Sequence, residues 1–380
     1  MSEWLHLADF LSPVDLAVIS GDEPYRPGQM ARHVSIYTEE MFPDLEEAQL
    51  VIIGCAEERG LAMGRPAGAA PDTIRAQFYK TYYWHSEVTI ADLGNVRIGA
   101  SLSDTYAALK LLVKELTGAG KTVIILGGAH DLTLPQYHAY ADREQIIEAA
   151  CIDAKIDLDM EALPQAEHFL MEMLTGEPNF VRHYSHIAFQ SYYVQPYMLE
   201  NMDKLRFDCF RVGQVKAHIE EMEPVVRNCS LVSFDLSAMA HAFAPGSAIS
   251  PNGLTGEEAC TIARYAGMST QVNSFGIYGY QPAKDNEELT AKQAAQMIWY
   301  FIDGRHRGNR EATFSDRNAF FEYNVAFAEL ETIFLQSKKT DRWWMQLPNE
   351  QFIPCTYKDY IQATHNDLPE RWLRAMERNA

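Results

Sequence analysis

The chain has 380 residues, 47% of them hydrophobic, enough to bury a large core. Its 52 acidic and 32 basic residues give a formal net charge of −20 and a pI near 5.0, which repels phosphate backbones and anionic membranes and excludes nucleic acid as a partner. No uncharged apolar run approaches the ~20 residues that span a bilayer as a helix, so no membrane association is expected.

Residues 1–47 read as an N-terminal extension. Glu3, Asp9 and Asp15 stand where a secretory leader would be basic and then unbroken in its apolarity, so a cytoplasmic location is expected. Cys55, Cys151, Cys209, Cys229, Cys260 and Cys355 show no paired spacing, which fits reduced, mostly buried thiols in that compartment. Regular alternation starts at Leu50–Gly54. Short apolar runs recur at Thr122–Leu126, Ile146–Ile152, Ile187–Phe189, Leu231–Phe234 and Ser274–Tyr278, and such runs read as buried parallel strands.

Between the first two runs lies SDTYAALKLLVKELTGAG, an amphipathic helix. Ser103 can cap it, Leu109, Leu112, Val113 and Leu116 share one face, and Gly118 can end it. Later helices are expected from Gly256 to Thr270 and from Glu287 to Ile302. Alternating strands and helices over residues 48–304 predict an α/β fold of three layers, a parallel sheet with helices on both faces. Ligands of such sheets bind beyond the carboxyl ends of the strands. Residues 305–380 form an aromatic-rich C-terminal extension, expected to pack on the core. Within it Ile333–Leu335 and Trp343–Met345 flank a Lys-Lys-Thr-Asp turn, which predicts a hairpin.

Three strand ends carry the residues with chemistry. Leu126-Gly127-Gly128-Ala129-His130-Asp131 brings a histidine to the mouth of the sheet after two glycines that permit a tight turn. Ile152-Asp153-Ala154-Lys155-Ile156-Asp157 places two carboxylates around a lysine, and Ser233-Phe234-Asp235-Leu236-Ser237 adds a third. One imidazole and three carboxylates can bind an ion of the Mn²⁺, Fe²⁺ or Zn²⁺ type. The competing reading is a set of helix caps and loop ion pairs.

In order and separation these segments resemble the arginase (ureohydrolase) family, whose corresponding strand ends read approximately GGDHS, DAHxD and SxDxD. The resemblance extends to Gly68-Ala69-Ala70-Pro71, to Asn252-Gly253-Leu254-Thr255 and to Tyr280-Gln281-Pro282 followed by Asp285 and Thr290-Ala291. It implies a first metal position at His130, Asp153, Asp157 and Asp235. The family's second ion would share Asp153 and Asp235, but its two private ligands correspond here to Lys155 and Ser237. An ammonium therefore stands where an ion would, and Lys155 is expected to point between Asp153 and Asp235 as their counter-charge.

Other family features also change. The substrate-binding acid aligns with Gly279, and Ala129 replaces the GGDHS acid. His168 corresponds loosely to a proton-transfer histidine and, with Lys155, is a candidate catalytic residue. Gln214 and Lys216 stand where an acidic substrate contact is frequent, and His241 is placed to face the cleft.

The resemblance thus implies a protein that has lost guanidino hydrolysis and serves a binding or regulatory role for a small-molecule ligand. The alternative is a mononuclear metal-dependent hydrolase of a linear amidine C–N bond, similar to formiminoglutamase. A third reading uses Lys155 as base or nucleophile without metal. Mn²⁺ is the ion the family implies, with a metal-free site as the other outcome, and a homo-oligomer is expected by analogy.

Overall fold

The computed structural model describes residues 4–20, 24–64, 68–159, 161–247, 249–327 and 330–379. The first strands are β1 (Leu11–Ser12), β2 (Val34–Ile36), β3 (Leu50–Cys55), β4 (Ile90–Val96) and β5 (Thr122–Gly127). They are followed by β6 (Ile147–Ile152), β7 (Val181–Phe189), β8 (Asp208–Arg211), β9 (Leu231–Asp235) and β10 (Ser274–Tyr278). These form one 10-stranded sheet in the order β1-β4-β3-β5-β10-β9-β6-β7-β8, with β2 also on β4. Only β1 runs antiparallel to its neighbour.

Helices bury both faces of this sheet, as the continuous apolar strands require. On β3, Leu50 and Ile52 enter one core while Val51 and Ile53 enter another, and on β5 Ile124 and Leu126 alternate in the same way with Val123 and Ile125. Register aligns the strand ends that carry chemistry. Ile125 lies opposite Gly276, Gly276 opposite Ser233, Ser233 opposite Cys151, and two residues further on Tyr278 lies opposite Asp235. The carboxyl ends of β5, β10, β9 and β6 therefore form one contiguous rim.

The helix after β4 spans Leu102–Gly118, but its cap is Ser101 rather than Ser103. Ser101 Oγ accepts from Asp104 N while the Asp104 carboxylate accepts from Ser101 N, a reciprocal capping box that Ser103 has no acid to complete. Thr255 and Glu258 make the same box at the start of the helix Gly256–Met268. The helix expected over 287–302 runs from Leu289 to Gly308.

The C-terminal extension makes its own antiparallel sheet of β11 (Phe320–Phe327), β12 (Leu330–Ser337), β13 (Trp343–Gln346) and β14 (Phe352–Cys355). The expected hairpin is formed, with Phe334 opposite Met345 and Gln336 opposite Trp343. Val325, Phe334, Trp343 and Met345 pack with Ala363 and Trp372 from two terminal helices, a core separate from that of the large sheet. Arg227 Nη1 donates to the Trp343 carbonyl at 2.6 Å, and Arg374 pairs with Asp208 at 2.8 Å, joining this unit to the large sheet. Among the described residues no helix is long and apolar enough to cross a membrane, and all six cysteines are free.

Candidate metal centre

His130, Asp153, Asp157 and Asp235 meet at the rim formed by β5, β6 and β9. His130 Nδ1 lies 2.9 Å from Asp157 Oδ2, 3.2 Å from Asp153 Oδ2 and 3.8 Å from Asp235 Oδ2. One donor atom each from His130, Asp153 and Asp157 lies within 4.8 Å of the others, and all three residues are buried. Behind the imidazole, His130 Nε2 contacts Ser233 Oγ at 3.0 Å, and Ser233 Oγ contacts Thr133 Oγ1 at 2.6 Å. The Phe169 ring meets the imidazole edge to face, with centroids 4.9 Å apart. The ring is thereby fixed on two sides.

Ser237 organises the carboxylates. Its hydroxyl donates to Asp153 Oδ1 at 2.6 Å, and its backbone N–H donates to Asp235 Oδ1 at 2.6 Å. Both acids thus keep Oδ2 toward His130. Lys155 lines the cleft, and its backbone N–H donates to Asp153 Oδ1 at 3.2 Å. Its side chain departs from expectation: among the described residues, the ion pairs of Asp153, Asp157 and Asp235 run to His130 rather than to Lys155. The imidazole and Ser237 already satisfy the oxygens that an ammonium would have taken.

Electrostatics follow from this packing. Burial opposes charge on His130, yet hydrogen bonds to Asp153 and Asp157 outweigh it and hold the imidazole well above its ordinary pKa. Burial also disfavours the Asp153 carboxylate, but the His130 hydrogen bond and charge bring it down to about 2. Burial and the Asp153 charge push Asp157 up to about 8 and Asp235 up to about 6. One imidazolium is too little positive charge for three buried carboxylates.

The cleft above this cluster encloses about 150 Å³. It is also lined by Gln281 of the Tyr280-Gln281-Pro282 segment and by Glu58 and Glu167, two acids that sequence reasoning missed; Glu58 lies just past the end of β3, the one signal available for it. Gly279 sits on the rim at φ +81°, and a Cβ there would lie 2.7 Å from both Asp235 carboxylate oxygens. The backbone and Asp235 both disfavour a side chain at this position.

Other expected residues lie elsewhere. His168 is not among the cleft-lining residues, and its Nδ1 is buried without a hydrogen-bond partner. Gln214 lines a different cavity, and Lys216 Nζ pairs with Glu258 at 2.9 Å and donates to the Gly253 carbonyl at 3.0 Å, at the start of the helix Gly256–Met268. His241 is exposed and lies outside the cleft lining. Asp131 is buried and accepts from the Tyr106 hydroxyl, and burial pushes it up to about 6.

Comparison with known proteins agrees with this architecture. The sequence model of the arginase family matches residues 48–303. A formimidoylglutamase of Staphylococcus aureus (strain JH9) is 25% identical over 289 residues, covering 71% of this chain and 92% of its own length. The solved formimidoylglutamase from Bacillus subtilis aligns with a TM-score of 0.65 at 16% identity, over 75% of this chain and 95% of its own. Trypanosoma cruzi formiminoglutamase with Mn²⁺ aligns at 0.63 and 18% identity, over 69% of this chain and 94% of its own. The family match spans well over half of the sequence, from just before β3 into the helix Leu289–Gly308, so the chain belongs to the arginase family.

Proposed function

We propose that the cleft holds one divalent ion of the Mn²⁺ type and that the protein hydrolyses a C–N bond of a linear amidine. The observation that carries this reading is the convergence of His130, Asp153 and Asp157 donor atoms within 4.8 Å, with Asp235 beside them. The donor set fits such an ion: one nitrogen and several carboxylate oxygens suit Mn²⁺ or Zn²⁺, and a dication would supply the charge the raised Asp157 and Asp235 lack. The names of the S. aureus and B. subtilis relatives, and the Mn²⁺ in the T. cruzi structure, support the same choice.

When bound, the ion supplies Lewis-acid polarisation to the site. The rest falls to the chain. Ser237 holds the outer oxygens of Asp153 and Asp235, so their other oxygens stay aimed at the ion's place without rearrangement. Ser233 and Thr133 fix the His130 ring. Glu58 and Glu167 provide negative charge at the mouth for an amidinium, and Lys155 provides positive charge for an anionic tail. In the net reaction the amidine carbon gains the oxygen of water, its C–N bond breaks, and the departing nitrogen takes a proton, giving an amine and a carboxamide. Arginine and agmatine are not proposed as substrates, because Gly279 offers no carboxylate to a guanidinium.

A binding protein without hydrolysis is the second reading. It is favoured by Ser237, which already occupies Asp153 Oδ1 at 2.6 Å. Loading the purified protein with Mn²⁺ and assaying formamide release from N-formimino amino acids separates the two. The hydrolase reading expects about one Mn²⁺ per chain and turnover, both lost in H130A and D153N. Bound Mn²⁺ with no turnover on any formimino compound would leave the binding reading, and no Mn²⁺ at all would remove the metal from both.

A further inference from the structure

At the opposite end of the sheet from His130, the loop entering β4 meets the C-terminal turns of the helix Leu289–Gly308. The loop contributes His85 and Glu87. The helix contributes Asp303 and His306, three residues apart on one face. One donor atom each from His85, Glu87 and His306 lies within 4.8 Å of the others. The carboxylate of Asp303 ties into this group: Oδ1 lies 3.0 Å from His85 Nε2, and Oδ2 is anchored 2.7 Å from Arg264 Nε. His306 Nδ1 abuts Glu87 Oε1 yet makes no aligned hydrogen bond.

We propose that His85, Glu87 and His306 bind a divalent transition-metal ion of the Zn²⁺ class, separate from the cleft and independent of the hydrolase reading. Two imidazoles with one carboxylate form a zinc donor set, whereas calcium or magnesium would call for oxygens throughout. Asp303 plays the part of the outer carboxylate that orients a ligating histidine. It takes the Nε2 proton of His85 and leaves Nδ1 with its lone pair. His306 lies in the last turn of this helix, where the negative end of the helix dipole favours a cation.

The His85 and His306 rings are nearly parallel at 17°, with centroids 4.3 Å apart, so binding requires one ring to turn about its Cβ–Cγ bond, a soft torsion. The Glu87 side chain is 50% exposed, giving the ion a route from solvent. An ion here would clamp the entry of β4 to the helix that closes the family domain.

The test uses full-length H130A, in which the cleft is silenced, stripped with chelator and titrated with Co²⁺ and then Zn²⁺. The expected result is a visible Co²⁺ absorption band saturating at about one equivalent and displaced by Zn²⁺. Tryptophan emission should fall on Co²⁺ binding, because the Trp299 ring lies 6.1 Å from His85. Adding H306A should abolish the band, and adding D303N should weaken binding about 10–100-fold. Glu87→Gln changes a half-exposed residue and decides the matter should H306A fail to fold. Absence of the band in H130A, or an affinity unchanged by both H306A and Glu87→Gln, would overturn the proposal and leave a stacked histidine pair.

Discussion

At His130 the protons and the proposed ion compete for the same oxygens. Asp157, pushed up to about 8, holds a proton at neutrality in the metal-free protein, and Asp235, pushed up to about 6, takes one on mild acidification. An ion must displace them, as it must the proton of the His130 imidazolium, so binding releases protons and Mn²⁺ affinity should climb as pH rises from about 6 to about 8. Calorimetry in buffers of different ionisation enthalpy checks this, and a pH-independent affinity would count against the cluster as the site. The positions that the family resemblance assigns to a second ion admit a direct test as well. Lys155 and Ser237 line the same cleft, so K155H combined with S237D should raise bound Mn²⁺ from about one to about two equivalents. An unchanged metal content would show that these residues do not stand at that position. The four expected ligands could be read from their places at strand ends. The direction of Lys155 could not, because it depends on which neighbour satisfies Asp153 first, and Ser237 does so from a different strand.

Among the elements, apolar runs mark the buried parallel strands well, and β4 shows where that signal fails. Its sequence IADLGNV is broken by Asp92, Gly94 and Asn95, yet it lies inside the sheet between β3 and the β1 and β2 edge. Asp92 is tolerated at 0% exposure because Arg75 Nε and the Tyr79 hydroxyl donate to it at 2.8 and 2.9 Å. Those partners come from the helix Ala70–Phe78 and its C-terminal cap, invisible to any local pattern. The cap of the helix Leu102–Gly118 is a second such case. Ser101→Ala should cost about 1 kcal/mol, while Ser103→Ala should stay within about 0.5 kcal/mol. Urea-denaturation midpoints distinguish them, and equal effects would refute the capping box as the start signal.

For the whole molecule, Arg227 is one of several side chains that hold the C-terminal unit to the family domain, beside Arg342, Arg371, Arg374 and Arg378. The Arg227 side chain is buried, bonded to Glu223 at 2.9 Å and to the Trp343 carbonyl at 2.6 Å, and lies 4.6 Å from the Trp344 ring centroid. Arg227→Ala would leave the Glu223 carboxylate with only Arg342, 3.6 Å away. The expected loss is about 3 kcal/mol, read as faster proteolysis in the segment 309–316 before the family domain is cut. Unchanged resistance there would show that the remaining contacts hold the unit without it.

Sequence by itself determined the alternation of strands and helices, the burial of both sheet faces and the grouping of the four candidate ligands at strand ends, because each follows from local composition and chain order. Only the tertiary structure decided which side chains meet. Parallel register, set by strands far apart in sequence, brings Ser237 onto Asp153 and Gly279 against Asp235, and carries His306 on a long helix back to His85. Such contacts depend on distances across the fold, which no spacing along the chain records.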